Sequence, residues 1–344
     1  MDLYRMGADA YYNAFKRFLR PRSFHMLTQV LKNAPEFDRT IHRFPALMMM
    51  ARRFSDFRDR QGDERIRSLF QGLTSGLDDQ SIHTLSEAWD AYLMIADKDR
   101  IPFDKWYPPL EKSFEEEMDR YLVALGRSLK PPAYIDVRHF PDIFFFDSGL
   151  SYVPKSTIDA KLTGRDVIDC GGYTGDTSLM YSRKYSPRRI YAFEPLKENF
   201  ARLNYTIGHC SLSNVVPLKL ALGSEKKTSM LIPRDSGSYL DPDSADGEPV
   251  EVDTIDSFVE KTGAEPALIK MDIEGAELDA IKGALGTIKR FRPILSIAVY
   301  HTPQDLFMIK PLLESEVKGY RFMVRKLEYC DPVAEMFLIA YPLD

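Results

Sequence analysis

Apolar positions in the first 130 residues recur at helical spacing, and strand-like alternation is scarce. Tyr11, Phe15, Phe18 and Leu19 form one such face; Leu85, Ala88, Trp89, Tyr92 and Leu93 form another. A third helix is predicted over Phe114 to Leu129. Ser113 would cap it, Glu115, Glu116 and Glu117 suit its positive end, and Pro131 and Pro132 stop it. The texture changes after Pro132. Asp142 to Tyr152 (DIFFFDSGLSY) predicts a strand, a turn at Asp147 to Gly149 and a second short strand. Strands are predicted at Asp166–Cys170, Arg189–Glu194, Val215–Leu222, Ala267–Ile273 and Pro293–Tyr300. Helices are predicted near 175–184, 196–207, 255–261, 276–288 and 303–315.

Strands alternating with helices of this size imply βαβ units and a parallel sheet. Two last strands, near 320–327 and 336–341, suit an antiparallel pair at the end of that sheet. Residues 223–250 break the alternation with Gly223, Pro233, Gly237, Pro242, Gly247 and Pro249, and predict a long loop with one hairpin. The expected organisation is a helical domain over 1–132 and an α/β domain over 133–344.

A length of 344 residues agrees with two domains. Cys170, Cys210 and Cys330 are far apart and in no ligand spacing. They predict neither a disulfide framework nor a zinc site, and they fit a reducing cytoplasm. No apolar run nears the ~18–20 residues that span a bilayer. The nearest, Phe44 to Ala51, is interrupted by Pro45 and followed by Arg52 and Arg53. The first residues lack the apolar core and cleavage site of a secretory signal. The formal net charge is −5, but residues 1–60 hold 12 Lys+Arg against 6 Asp+Glu. That basic stretch reads first as a solvated helical face, with an acidic partner, lipid or substrate as the alternative.

The strongest chemical signal is DVIDCGGYTGDTSL, residues 166–179. A buried strand ends at Asp169, Gly171 and Gly175 follow with Gly172 between them, and a helix begins near Thr174–Asp176, with Thr177 a further cofactor candidate. Glycine lets a ligand approach the backbone, and ligands of open α/β sheets bind at the carboxyl ends of strands. The spacing Asp-x-Gly-x-x-x-Gly departs from the dinucleotide fingerprint G-x-G-x-x-G. It resembles the first motif of Rossmann-like methyltransferases. S-adenosylmethionine has no pyrophosphate to place on a helix end, and its cationic groups suit an acid at a strand end. The next strand ends in Glu194, nineteen residues after Gly175, where an acid can accept from ribose hydroxyls. Pro195 leaves open a plain helix-start role for that charge. The third strand ends at Ala221–Leu222–Gly223, a candidate adenine slot or ordinary core.

Residues 267–284, ALIKMDIEGAELDAIKGA, end a strand near Asp272 and place Glu274 and Glu277 where a helix begins. A hydroxyl acceptor must be aligned and lose a proton, which a positioned carboxylate or histidine can take. Asp272 and Glu274 are candidates for that work; the alternative is that Glu274 and Glu277 only favour a helix N-terminus. His301, in SIAVYHTPQDL, again follows a strand. No His/carboxylate spacing demands a metal, and none is predicted.

VIDCGGYTGDTS, YAFEP, VEVDTIDSF, LIKMDIEGAEL and the final SIAVYHTPQDLFMI…GYRFMVR…EMFLIAYP together resemble the FkbM family of methyltransferases, over roughly residues 140–342. The resemblance implies a Rossmann-like fold, a mostly parallel seven-stranded sheet with helices on both faces, preceded here by a mainly α-helical N-terminal domain. It implies methyl transfer from S-adenosylmethionine to a hydroxyl of a sugar, glycan or natural product. By the family pattern Asp169, Gly171, Gly175, Asp176 and Glu194 hold the cofactor, Asp272 lies near its methionine end, and Glu274 and His301 serve the acceptor. Gly172 takes a small, variable position of the first motif. An N-methyltransferase is the near neighbour. An NAD-dependent oxidoreductase is disfavoured by the glycine spacing, and a catalytically silent binding protein by the intact motif. Overall acidity disfavours nucleic acid as partner. The N-terminal domain is a candidate lid, acceptor platform or homo-oligomer contact.

Overall fold

The computed structural model describes residues 40–41, 45–98, 101–102, 112–135, 137–232, 239–240, 247–327 and 333–343. The predicted face of Tyr11, Phe15, Phe18 and Leu19, most of the basic segment and Cys330 lie outside those residues. Two short strands, β1 (Thr40–Ile41) and β2 (Ile101–Pro102), pair antiparallel. Helices α1 (Pro45–Gln61), α2 (Asp63–Thr74), α3 (Asp79–Lys98) and α4 (Lys112–Leu129) make up the rest of the described N-terminal part. Leu85, Ala88, Trp89 and Tyr92 are the buried face of α3, as their spacing predicts. Ser113 is the second residue of α4 and not its cap, because the helix starts before it.

The strand pair predicted over 142–152 does not form. Pro141 opens a short helix, α5 (Pro141–Phe144), and a 3-10 turn covers Asp147–Tyr152. Pro141 presets a helical φ at the first position. Asp147, Ser148 and Gly149 then follow at positive φ, which no strand allows. The aromatic run that mimics a strand buries Phe144 and Phe146 instead. Helix α6 (Lys155–Leu162) leads into the sheet.

The main sheet holds β3 (Asp166–Cys170), β4 (Arg189–Phe193), β5 (Val215–Leu218), β10 (Pro266–Met271), β11 (Ile294–Ala298), β12 (Tyr320–Lys326) and β13 (Met336–Pro342). Their order is β12-β13-β11-β10-β3-β4-β5, with β13 antiparallel to both neighbours. Every residue of β3, β10 and β11 is buried, as expected where helices cover both faces of a parallel sheet. Those helices are α7 (Asp176–Lys184), α8 (Lys197–His209), α9 (Ile255–Thr262), α10 (Glu277–Lys282), α11 (Leu285–Phe291) and α12 (Pro303–Glu316).

Two predicted elements are divided. The strand predicted over 215–222 becomes β5 and a separate β6 (Ala221–Leu222). Pro217 has no N–H to give, which suits an edge strand, and the chain leaves the main sheet after Leu218. β6 joins β7 (Lys227–Ile232), β8 (Tyr239–Leu240) and β9 (Glu248–Asp253) in a four-stranded side sheet of order β6-β9-β7-β8. The predicted loop therefore contains more order than a single hairpin. The helix predicted over 276–288 splits at Gly283, where a Cβ would lie 2.1 Å from the Gly223 carbonyl oxygen.

The N-terminal helices share one continuous core with the sheet. Phe54 stacks on Tyr92 at 3.7 Å, and Trp89 meets Phe307 of α12 edge-on at 5.4 Å. Helix α3 lies along β12, the edge strand. There Ser81 Oγ accepts from the Val324 N–H, and Arg325 forks onto Asp78 at 3.0 and 2.7 Å. The Val324 N–H is thereby met by a side chain of the covering helix and not left for a further strand. Among the described residues no helix is long and apolar enough to cross a membrane.

Candidate active site

The chain runs outward from β3 through β4 to β5, then returns to β10 on the other side of β3. That reversal opens a crevice at the carboxyl ends of β3 and β10, where open α/β sheets bind ligands. Two sets of residues meet there.

The first set follows β3 and β4. Gly171 has φ +84°, and a Cβ on it would come 2.0 Å from the Asp272 carbonyl oxygen. Only glycine lets the two strand ends approach so closely. The N–H groups of Gly171 and Gly172 donate to the Phe193 carbonyl, at 3.0 and 2.8 Å, and so bring the turn against the end of β4. Glu194 stands at that end. Its carboxylate accepts from the Tyr173 N–H at 3.0 Å and the Leu196 N–H at 2.9 Å. Burial pushes it up to about 7 despite those two bonds. Gly175, at φ +87°, precedes α7. Asp176 and Thr177 are buried in its first turn, where the Thr177 N–H donates to Asp176 at 2.8 Å. Burial lifts Asp176 to about 6.

Asp169 is fully buried. It accepts from Ser178 Oγ at 2.8 Å, and its other oxygen has no hydrogen-bond partner. Burial raises its pKa, and the Lys270 ammonium, 3.6 Å away, opposes the rise. Lys270 itself is buried inside β10 and donates to the Gly171 carbonyl at 3.0 Å. Burial works against its charge, but Asp169, Asp272 and Asp176 outweigh it and hold the ammonium above the ordinary lysine value. Lys270 is thus a site residue that motif reading passed over. The signal was there: a lysine inside an otherwise apolar, fully buried strand needs a charged partner. Ala221 belongs to the side-sheet cluster of Leu231, Val250 and Val252. Leu196, whose N–H Glu194 holds, packs on that cluster.

The second set follows β10 and β11. The Asp272 N–H continues the sheet by donating to the Cys170 carbonyl at 3.1 Å. Its side chain and that of Glu274 each come 3.5 Å from Nε2 of His301, which is buried. The low-dielectric surroundings push Glu274 up to about 7 although its side chain is 42% exposed. Glu277 is fully buried. One oxygen accepts from the Ile273 N–H at 2.7 Å and sits 2.9 Å from His301 Nδ1; the other accepts from the Gly275 N–H at 2.8 Å. Burial opposes the charge on Glu277, but His301 outweighs it and keeps the carboxyl below its usual range. Burial likewise opposes an imidazolium at His301, yet Glu277, Glu274 and Asp272 hold its pKa well above the ordinary histidine value. One ligand atom from each of Asp272, Glu277 and His301 lies within 4.8 Å of the others. A cation there would compete for Glu277 oxygens already engaged by two N–H groups and the imidazole. The helical N-terminal part reaches this set too: Tyr92 donates to the Tyr300 carbonyl at 2.9 Å, one residue before His301.

Gly171, Gly172, Gly175 and Glu194 thus form one wall of the crevice, with Asp169, Asp176 and Thr177 buried beside the turn. Asp272, Glu274 and His301 form the other. A sheet with one antiparallel strand, a glycine turn without the pyrophosphate spacing, and acids ending β4 and following β10 define the Rossmann-like methyltransferase class. The comparisons agree. The family described as the methyltransferase FkbM domain matches residues 169–322, from the last acid of β3 into β12. Methyltransferase 1 of Beauveria bassiana (strain ARSEF 2860) is 24% identical over 198 residues, covering 50% of this chain and 79% of the relative. The crystal structure of methyltransferase FkbM from Methylobacillus flagellatus KT shares the fold at TM-score 0.53 and 21% identity. That likeness covers 80% of this chain and 59% of the Methylobacillus chain, less than two thirds of its length. Residues 169–322 are thus similar to the methyltransferase FkbM domain.

Proposed function

We propose that the chain transfers a methyl group from S-adenosylmethionine to a hydroxyl of a sugar, glycan or natural product. The observation that carries this reading is the meeting of two unlike walls at the topological switch point. One is a glycine turn with a ribose-ready acid; the other is a histidine among carboxylates. The first wall fits the cofactor. Each Glu194 oxygen has taken one backbone N–H, which leaves lone pairs for ribose hydroxyls. Gly171 and Gly172 let the turn pack against Asp272 and Ala192, which brings its backbone to the strand ends where a ligand binds. When bound, S-adenosylmethionine supplies a methyl carbon whose bond to sulfur breaks, the pair staying on sulfur, as the acceptor oxygen bonds to that carbon.

The chain's own residues do the rest. Asp169 is buried against Ser178 and Lys270, so its part is to fix the turn. Asp272 faces both walls through its N–H to Cys170 and its carboxylate toward His301. Glu274 is the group we assign to take the acceptor's proton, with His301 as its charged partner, since a carboxylate raised toward neutrality is the better base. That need for a base favours a hydroxyl over an amine. Residues 1–132 are read as the acceptor platform, supported by the Tyr92 bond to the chain beside His301. The free thiols of Cys170 and Cys210 support the cytoplasm as its compartment.

Isothermal titration with S-adenosylmethionine and S-adenosylhomocysteine tests the reading, with Glu194→Ala as control. Micromolar binding lost in the variant is expected. A folded protein that binds neither ligand, but binds NAD, overturns it.

A further inference from the structure

Glu277 is the first residue of α10, where an acid often does no more than face the positive helix end. Its bonds are of another kind. They run backward, to the N–H groups of Ile273 and Gly275, which flank Glu274. Glu274 itself has φ +59°, a left-handed conformation that a bulky residue keeps only when its surroundings impose it. The same carboxylate meets His301 Nδ1 at 2.9 Å across 24 residues of chain.

We propose that Glu277 is the positioning residue of the acceptor wall. It closes the loop that presents Glu274, and it fixes the His301 ring with Nδ1 inward and Nε2 toward Asp272 and Glu274. A buried carboxylate on one ring nitrogen sets which face of the imidazole the other nitrogen shows. This rests on the methyl-transfer reading for the purpose of the wall, but the geometry is testable without an acceptor. The charged and titratable groups that face the ring are Asp272, Glu274 and Glu277 after β10, Tyr300 beside it in the chain, and Asp305 from α12. Asp305 is lifted to about 7 by burial, so it adds little charge below neutrality.

The experiment is nitrogen NMR of 15N-histidine-labelled full-length protein, titrated with alkali. The chain has six histidines, and His301→Asn assigns the signal. In the wild type both ring nitrogens of His301 should carry protons well above the ~6.5 of free imidazole. In Glu277→Gln the midpoint should fall by about 1–3 pH units. A wild-type His301 that titrates near 6.5, or whose neutral form carries no proton on Nδ1, overturns the proposal even if the variant does not fold. So does a folded Glu277→Gln with an unchanged midpoint, whatever its cofactor affinity. Titration of the same samples with S-adenosylmethionine separates the two claims. If no sample binds it, the functional reading fails, while the histidine result stands on its own.

Discussion

The two walls of the crevice are built in opposite ways. On the cofactor wall the polar work is done by backbone: Gly171 and Gly172 donate to Phe193, and Tyr173 and Leu196 donate to Glu194. Those four bonds stay within residues 171–196, and the charge pair of Asp169 with Lys270 joins the turn to β10. On the acceptor wall the work is done by side-chain charge. Asp272, Glu274 and Glu277 surround His301, and the ring comes from the end of a different strand. A wall made of backbone tolerates few sequences and holds one ligand shape. A wall made of side chains can change its acceptor by single substitutions while the turn stays as it is.

This contrast predicts that damage to the acceptor wall should cost rate and spare cofactor affinity. The largest expected effect is on turnover. Glu274→Gln should lower kcat by about 10²–10⁴-fold, the usual span for a lost proton-transfer group. Its S-adenosylmethionine affinity, read by titration, should stay within a factor of a few. Equal losses in rate and affinity would mean the walls are not separate. Next comes the junction. Lys270→Met removes the cation at the turn and leaves Asp169 buried and unpaired, which should cost about 3–5 kcal/mol. Thermal unfolding would show it, and Asp169→Asn in the same chain should return part of the loss. A Lys270→Met protein of unchanged stability would place the Asp169 charge elsewhere.

A smaller effect sharpens the assignment of Glu194. Its folded pKa is raised to about 7, so the carboxyl is protonated at pH 6 and ionised at pH 8. Ribose hydroxyls must donate to the ionised form. Cofactor affinity should therefore rise with pH, about tenfold per unit below 7, and level off above it, with a proton released on binding. Glu194→Gln should flatten that rise. The control matters because Asp176, near 6, and Glu274, near 7, titrate in the same window. A rise that survives in Glu194→Gln belongs to one of them.

What the sequence reveals follows the same division. Strand β3 forms over the residues expected, because a buried apolar run between two glycine turns has one way to fold into a parallel sheet. Glu194 was findable by counting from Gly175. The acid partners of His301 were findable only as a list, since nothing local says that Glu277 turns back past Glu274 to reach an imidazole on the next strand. Lys270 was hidden in the same way: its partner, Asp169, lies on the neighbouring strand about a hundred residues earlier. The DIFFFDSGLSY segment misled because aromatic residues favour strands only when a neighbouring strand is there to pair, and Ser296 instead donates to the Ser148 carbonyl within a turn.

The smallest predicted effect is no effect at all, and it bears on the acceptor wall as a whole. Asp272, Glu277 and His301 have the composition of a cation site, and their ligand atoms are close. Yet Glu277 already accepts from two backbone N–H groups and the imidazole. A metal ligand must give up such bonds, and freeing Glu277 would release both the loop around Glu274 and the His301 ring. Exhaustive treatment with a chelator should therefore leave the methyl-transfer rate and the unfolding temperature where they were. A rate that falls with the chelator and returns with a divalent cation would turn the acceptor wall from a proton-handling cluster into a metal centre. Glu274 would then lose its assignment as base, while the cofactor wall would keep every residue it has.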